Sequence, residues 1–190
     1  MNRTRIAALC AAVSFVVLGA ATLAPPAFAE KTVEVGGAPM YPSKNIVQNA
    51  VNSKDHTTLV AAVKAAGLVD TLMSPGPFTV FAPVNKAFEK LPKGTVETLL
   101  KPENKTTLTA VLTYHVVGGK LSADDLKAKV QAGGGKATLT TVQGEMLTVT
   151  QAGRRLEIVD AKGGKSSITI PDVNQSNGVI HVVDTVLLPK

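Results

Sequence analysis

Two short apolar segments with polar boundaries, one in the first half of the chain and one at its end, most strongly constrain the fold. Residues 79–88 (TVFAPVNKAF) predict a strand that Pro83 stops, followed by a helix that Asn85 caps. Residues 177–189 (NGVIHVVDTVLLP) predict an Asn-Gly turn that leads into a nearly continuous apolar strand. Neither segment carries a nucleophile, so neither predicts a catalytic centre.

The first residues of the chain are typical of a secretory signal. Two arginines precede an uncharged run over residues 6–24, and Ala27 and Ala29 are small residues at the two positions that a signal peptidase reads. We therefore predict a signal peptide over residues 1–29 and a secreted or periplasmic protein with no membrane span after cleavage. The alternative is an N-terminal membrane anchor, but two prolines break the apolar run before the cleavage site.

Removal of that signal would take away Cys10, the only cysteine of the chain. The fold must then depend on a hydrophobic core without a disulfide, and the remaining length suits one such core. Residues 30–45 contain two glycines and two prolines and have no core pattern, which predicts an extended N-terminal arm over residues 30–41. We expect one domain over residues 42–190, and a monomer.

The charge of the chain is modestly positive, with 20 basic residues against 14 acidic ones. Two of the basic residues belong to the predicted signal, so the mature chain carries a net charge of about +4. Its lysines come singly and it has no tryptophan, whereas nucleic-acid recognition needs a basic stripe with aromatic stacking platforms. This distribution argues against a nucleic-acid partner and leaves weak attraction to an anionic envelope or polysaccharide.

Helical and strand-like patterns occupy different parts of the chain. Helical spacing and capping signals predict helices at 46–51, at 57–66 with Gly67 as C-cap, at 95–100, at 104–113, and from Ser122, which pairs with Asp125. After residue 136, segments rich in β-branched residues alternate with glycine-bearing turns and predict strands at 137–142, 146–150, 156–159 and 168–170. Helices first and strands later are typical of an α+β fold.

The two apolar segments, together with Tyr114 and His115 between them, closely resemble the signature segments and the Tyr-His motif of the fasciclin (FAS1) family. The resemblance covers residues 41–189. It implies a FAS1-type wedge with two β-sheets and several short helices packed along one side. The signal and the single domain are typical of bacterial members. The resemblance also implies adhesion or surface interaction, through binding of a protein or polysaccharide of the envelope, matrix or host surface.

The Tyr-His pair is the first candidate binding element. Tyr114 and His115 lie where a predicted helix gives way to a strand, and a histidine there can donate from one ring nitrogen and accept at the other. The family associates this pair with both folding integrity and adhesion. We favour the structural role, in which His115 ties the helix end to a neighbouring strand.

The segment before the second signature is the other candidate. Asp172 lies where integrin-binding animal members carry an Asp-Ile motif, but the flanking residues differ, so integrin recognition is not inferred. Asp172 would instead cap the turn formed by residues 174–177. If residues 171–177 form an exposed recognition loop, Gln175 is the best candidate for contact, and Asn177 belongs to the same loop.

No motif in the chain predicts catalysis, a metal site or a cofactor. The three histidines, His56, His115 and His181, occur in neither a His-Glu-x-x-His nor a Gly-x-Ser-x-Gly context. We expect His56 to be solvated and His181 to be partly buried or at a sheet surface. Asp124 and Asp125 are adjacent on a helix, where their side chains diverge and cannot readily face one glycosidic bond. The main alternative to adhesion is a carrier of a small apolar ligand between helices and sheets, and a weaker one is a hydrolase with an unrecognised site.

Overall fold

The computed structural model describes residues 32–92 and 94–190. The predicted signal peptide lies outside these described residues. Within them the helices and strands follow the order β1 (Val33–Val35), β2 (Ala38–Met40), α1 (Ile46–Ala50), α2 (Thr57–Ala66), α3 (Val69–Met73), β3 (Phe78–Pro83), α4 (Asn85–Glu89), α5 (Thr95–Leu100), α6 (Lys105–Tyr114), β4 (Val116–Gly118), α7 (Ala123–Ala132), β5 (Lys136–Thr140), β6 (Met146–Ala152), β7 (Arg155–Val159), β8 (Lys165–Gln175) and β9 (Gly178–Val183). None of the helices in this described part has the length and apolar character needed to cross a membrane.

A seven-stranded sheet organises the domain, in the order β4-β3-β9-β8-β7-β6-β5. Strand β9 lies at its centre, parallel to β3 and antiparallel to β8. The beginning of β8 pairs with β7 and the remainder with β9, so this long strand joins the two halves of the sheet. A bridge between Val117 and Thr141 brings the two edges together and nearly closes the sheet. Strands β1 and β2 form a separate two-stranded sheet.

The apolar side chains pack into two main clusters. The first joins α1, α2, α3 and α6 to β1, β2 and the central strands of the large sheet. The second joins α7 to the inner faces of β5, β6 and β7, whose buried residues alternate with exposed ones as expected for half-buried strands. The α+β class predicted from the sequence is confirmed.

Local signals place the ends of two helices as predicted. Helix α2 ends at Gly67, which adopts the left-handed conformation (φ 74°) that glycine reaches without steric cost. Helix α7 begins after Ser122, whose hydroxyl accepts a hydrogen bond from the Asp125 amide while the Asp125 carboxylate accepts from the Ser122 amide. Both signals lie within four residues of the helix end that they define, which is why the sequence reveals them.

The expected N-terminal arm is wrong over its described part, residues 32–41. Strands β1 and β2 pair as an antiparallel hairpin, and Val35, Ala38 and Met40 are buried in the first cluster. The two glycines between the strands both have positive φ, at 61° and 73°, as a tight type I′ turn requires. The Gly-Gly pair is therefore a hairpin turn and not part of a linker.

The expected recognition loop over residues 171–177 is also wrong, because β8 continues to Gln175. The strand passes through Pro171 with two irregularities, between Ile168 and Ile170 and between Ile170 and Val173. Proline inside an apolar run normally argues against a strand. Here the irregular pairing around it accommodates a residue that cannot donate to the ladder.

Candidate functional site

Tyr114 ends helix α6 inside the protein, with no exposed surface. Its hydroxyl donates to the carbonyl of Met146 at 3.1 Å and accepts from the amide of Ala161 at 2.9 Å. One phenol therefore links the helix to β6 and to the turn after β7. In this fold Tyr114 presents no contact surface to a partner.

His115 follows directly and is also buried. Its Nδ1 lies 2.7 Å from the Val111 carbonyl, to which it donates, and its Nε2 accepts from the Leu187 amide at 3.0 Å. Burial lowers the pKa of His115 to about 4, so the ring is neutral at pH 7 with the proton on Nδ1. The ring ties the end of α6 to the segment that follows β9, where we expected a strand.

Asp172 is a cap, but for a different element from the one expected. Its carboxylate accepts from the amide of Ala123, the first residue of α7, at 2.7 Å. Its own amide donates to Nδ1 of His181 at 3.2 Å. Its φ is 56°, a left-handed conformation that costs most side chains free energy and that aspartate tolerates better than others. Asp172 therefore fixes α7 to the irregular part of β8.

We predict that Asp172→Ala lowers the free energy of unfolding by about 1 to 2 kcal/mol, because it removes the cap and leaves alanine in a left-handed conformation. Asp172→Asn keeps an acceptor oxygen and tolerates the backbone, so it should cost much less. Asp124→Ala, an exposed change in the first turn of the same helix, is the control. Urea denaturation measures all three. Unchanged stability of Asp172→Ala with loss of partner binding would make Asp172 a contact residue.

Gln175 and Asn177 hold the base of the β8–β9 hairpin. Gln175 is only 4% exposed; its side-chain oxygen accepts from the Asn49 amide group and its nitrogen donates to the Val173 carbonyl. The expectation that Gln175 is exposed is wrong. The Asn177 oxygen accepts from the amide of Ile46, at the start of α1, at 3.1 Å. Its nitrogen donates to carbonyls at the end of α3, at 2.8 and 3.0 Å.

Asn85 makes the same kind of connection in the first signature segment. The expectation that it caps α4 is wrong, because α4 begins at Asn85 itself after Val84. Its side-chain oxygen instead accepts from the amide of Thr58 in the first turn of α2, at 3.0 Å, and its nitrogen donates to the carbonyl of Lys54. The polar residues of both signature segments therefore cap helices that lie far from them in sequence.

The other two histidines are buried as well. His181 has no exposed surface, lies 5.8 Å from the Phe81 ring in a stacked arrangement, and donates from Nε2 to the Leu121 carbonyl. The expectation that His56 is solvated is wrong, because it is 4% exposed. Among the described residues no group of three or more histidine, cysteine, aspartate or glutamate side chains could hold a metal ion.

Two concave features lie beside these buried residues. The first, which we call the hairpin groove, has a volume of about 300 Å³ and is lined by Pro75, Gly76, Pro77, Lys120, Gln175, Ser176, Asn177 and Gly178. Lys120, Ser176 and the two prolines are exposed there. The second, which we call the core cavity, has a volume of about 80 Å³ and lies among α1, α2, α3, α6 and the central strands.

Residues 54–189 match the family model of the fasciclin domain. The chain belongs to the fasciclin family. Protein sll1483 of Synechocystis sp. is 46% identical to it over 160 residues, which are 84% of this chain and 82% of that protein. Immunogenic protein MPB70 of Mycobacterium bovis is 35% identical in an alignment 202 positions long. This alignment covers 94% of this chain and 95% of MPB70. Cell surface glycolipoprotein MPB83 of the same species is 35% identical over 145 residues, or 74% of this chain and 58% of MPB83.

A solved structure supports the same assignment at the level of the fold. The FAS1 domain pair of the insect cell adhesion molecule fasciclin I superposes with a TM-score of 0.70 at 22% identity, over 78% of this chain and 52% of that one. The FAS1-type wedge that the sequence implied, with its two sheets and its short helices, is confirmed.

Proposed function

We propose that this fasciclin protein is secreted or periplasmic and mediates adhesion or surface interaction by binding a protein or a glycan, without enzymatic chemistry. The family assignment and the cell-surface location in the name of MPB83 support this proposal. The FAS1 pair that shares its fold comes from a cell adhesion molecule. The partner would be a protein or polysaccharide of the envelope, matrix or host surface.

The observation that carries the proposal is the hairpin groove. Of the five residues expected to bind, Tyr114, His115 and Gln175 are buried and the side chains of Asp172 and Asn177 are occupied inside the fold. A partner that binds near the second signature segment would therefore contact exposed neighbouring residues such as Lys120 and Ser176. The groove is at the lower end of the size range of small-ligand sites, enough for one sugar ring or one side chain of a partner.

The chemistry of the groove suits a polar or acidic partner group. Lys120 supplies an ammonium and Ser176 a hydroxyl, and both are exposed. Pro75 and Pro77 give the groove an apolar wall against which a sugar ring or an aliphatic side chain can pack. Asn177 fixes the loop that carries Ser176, because its three hydrogen bonds reach α1 and the end of α3. In this proposal the buried signature residues position the contact residues.

Two substitutions in the groove test the proposal. Lys120→Glu reverses the charge in the groove, and Ser176→Arg fills the groove with a large side chain. The control is Lys86→Glu in α4, which makes the same charge change at an exposed position away from the groove. Binding would be measured to intact bacterial cells, to immobilised acidic polysaccharide and to immobilised matrix protein. We expect both groove variants to melt like the parent and to bind about tenfold more weakly, about 1.4 kcal/mol. Equal binding by all variants would move the contact elsewhere, and no binding to any surface would remove the adhesion role.

A second candidate function is favoured by the core cavity. Its position between helices and sheet is where we expected a carrier to hold a small apolar ligand. Protein purified without detergent would be denatured and its extract analysed by mass spectrometry. A stoichiometric apolar compound would support the carrier function, and its absence from every preparation would favour adhesion by the ligand-free domain.

A further inference from the structure

One polar atom in the core cavity has no hydrogen-bond partner. His56 lines the cavity, and among the described residues no group meets full hydrogen-bond geometry with its Nε2, although the backbone of Ala82, which also lines the cavity, interacts with the ring. The other ring nitrogen, Nδ1, lies 2.9 Å from the hydroxyl of Ser53. A buried polar atom without a partner is rare in folded proteins and costs about 1 to 3 kcal/mol. This atom is therefore available to a molecule inside the cavity.

The remaining lining offers such a molecule almost only apolar contact. Most of it comes from aliphatic side chains, namely Val35, Met40, Ile46, Leu59, Val63, Leu72, Val80, Val116, Val173, Ile180 and Val182. The hydroxyl of Thr113 already donates to the Thr109 carbonyl, and both nitrogens of His115 are occupied. A buried water normally needs two to four polar partners, and His56 alone does not provide them. The lining thus suits an apolar body with one polar group.

The charge of His56 further narrows the ligand. Burial lowers the pKa of His56, although the backbone of Ala82 opposes the shift, so the ring is neutral at pH 7. A neutral imidazole hydrogen-bonds an uncharged hydroxyl without burying an ion, whereas a carboxylate there would lose its hydration without gaining an opposite charge. Exposed Lys64, Thr71 and Val142 also line the cavity, so it extends toward solvent at these residues.

We infer that the core cavity binds a small uncharged amphiphile, with its apolar body among the valines and its single hydroxyl on Nε2 of His56. The inference rests on the carrier function proposed above and not on adhesion. An engineered apolar cavity of about 150 Å³ binds benzene, and this cavity has about half that volume. The ligand is therefore of the size of a short-chain alcohol.

A pair of probes that differ in one polar group tests this assignment. Ethanol and propane each have three non-hydrogen atoms, about half as many as benzene, and only the alcohol can hydrogen-bond to His56. Both would be titrated into the full domain and followed by amide chemical shifts of the cavity lining. In the parent we expect both to bind there. In His56→Leu the ratio of ethanol affinity to propane affinity should fall about fivefold, while His56→Gln, which keeps a hydrogen-bonding group, should restore part of it.

The outcomes distinguish failure of the His56 assignment from failure of the carrier function on which it rests. If both probes bind but their affinity ratio is the same in the parent and in His56→Leu, the cavity is a ligand site and His56 is not its anchor. If neither probe shifts the cavity lining in the parent, both the inference and the carrier function fail, and adhesion is unaffected. Val80→Ile adds one methylene to the lining and should weaken both probes without lowering the melting temperature. Loss of amide chemical-shift dispersion would show that a variant is unfolded. If His56→Leu is unfolded, the affinity ratio of the parent would be compared with those of His56→Gln and Val80→Ile instead.

Discussion

Gly178→Ala is expected to destabilise the domain by about 3 kcal/mol or more, enough to leave much of it unfolded at moderate temperature. Gly178 begins the central strand β9 and lies beside Phe78 in the parallel pair with β3. A Cβ added there would lie well inside van der Waals distance of the Phe78 carbonyl oxygen, which is backbone and cannot move aside like a side-chain tip. The Asn-Gly turn predicted from the sequence would make a left-handed turn conformation the reason for this glycine, but the φ of Gly178 is not in the left-handed range. The expected destabilisation is therefore caused by the close approach of β9 to β3 at this residue.

Gly118→Ala is the matched control. Gly118 pairs with the same Phe78 from the other side, in β4, and among the described residues no heavy atom lies within 4 Å of the position that its Cβ would take. We expect this change to be neutral or to stabilise slightly, since alanine narrows the unfolded ensemble. Thermal and urea unfolding of both variants gives the comparison. Similar stability of the two would contradict the close-approach explanation.

Acid should destabilise the domain through its buried histidines. The folded pKa of His115 is about 4, below the 6.5 of an unfolded histidine, so the unfolded chain binds more protons between these values. The stability that the neutral ring provides is complete above pH 6.5 and is lost as the pH falls toward 4. From pH 7 to pH 5 this amounts to about 2 kcal/mol for His115 alone. Burial also lowers the pKa values of His56 and His181, which act in the same direction.

His115→Gln isolates this effect. Glutamine can hydrogen-bond but does not titrate, so the variant should be less stable at pH 7 and lose less stability between pH 7 and pH 5. Hydrogen bonds from Ser122 hold the pKa of Asp125 below its usual value, so this carboxylate stays ionised throughout the window. Urea unfolding at several pH values would measure the slope. Equal slopes in the parent and the variant would mean that His115 does not set the acid sensitivity.

The sequence predicts those elements whose signals are local. Gly67 and the Ser122–Asp125 pair mark helix ends, and alternating β-branched residues mark β5, β6 and β7. It misses the β1–β2 hairpin, whose Gly-Gly pair suits a linker equally well. It also stops β8 too early, since Pro171 normally excludes a strand interior. In each case a local preference was outweighed by packing against residues distant in sequence.

The candidate site was harder to predict for the same reason. Gln175 is polar and next to a turn, which favours exposure, yet it is buried against Asn49 from α1. Asn85 stands at the start of a helix, where asparagine normally caps that same helix, but its oxygen binds the amide of Thr58 in α2. The sequence around a capping residue does not show which helix that residue caps when the helix is distant in sequence. No sequence motif indicated that Lys120 and Ser176 would lie in the same groove.

The long-range caps also constrain the order in which this chain can fold. Helix α1, whose own N-cap is Asn45, receives a second cap from Asn177, 131 residues after its first residue. Helix α7, capped by Ser122, receives a second cap from Asp172, 49 residues after its first residue. These helices have 5 and 10 residues, shorter than the 12 to 15 at which isolated helices become even marginally stable. The central strand β9 comes after all the other helices and strands of residues 32–92 and 94–190 in sequence. We therefore expect α1, α7 and the central part of the sheet to be completed together, after the segment that carries Asp172, Asn177 and β9 has been synthesised.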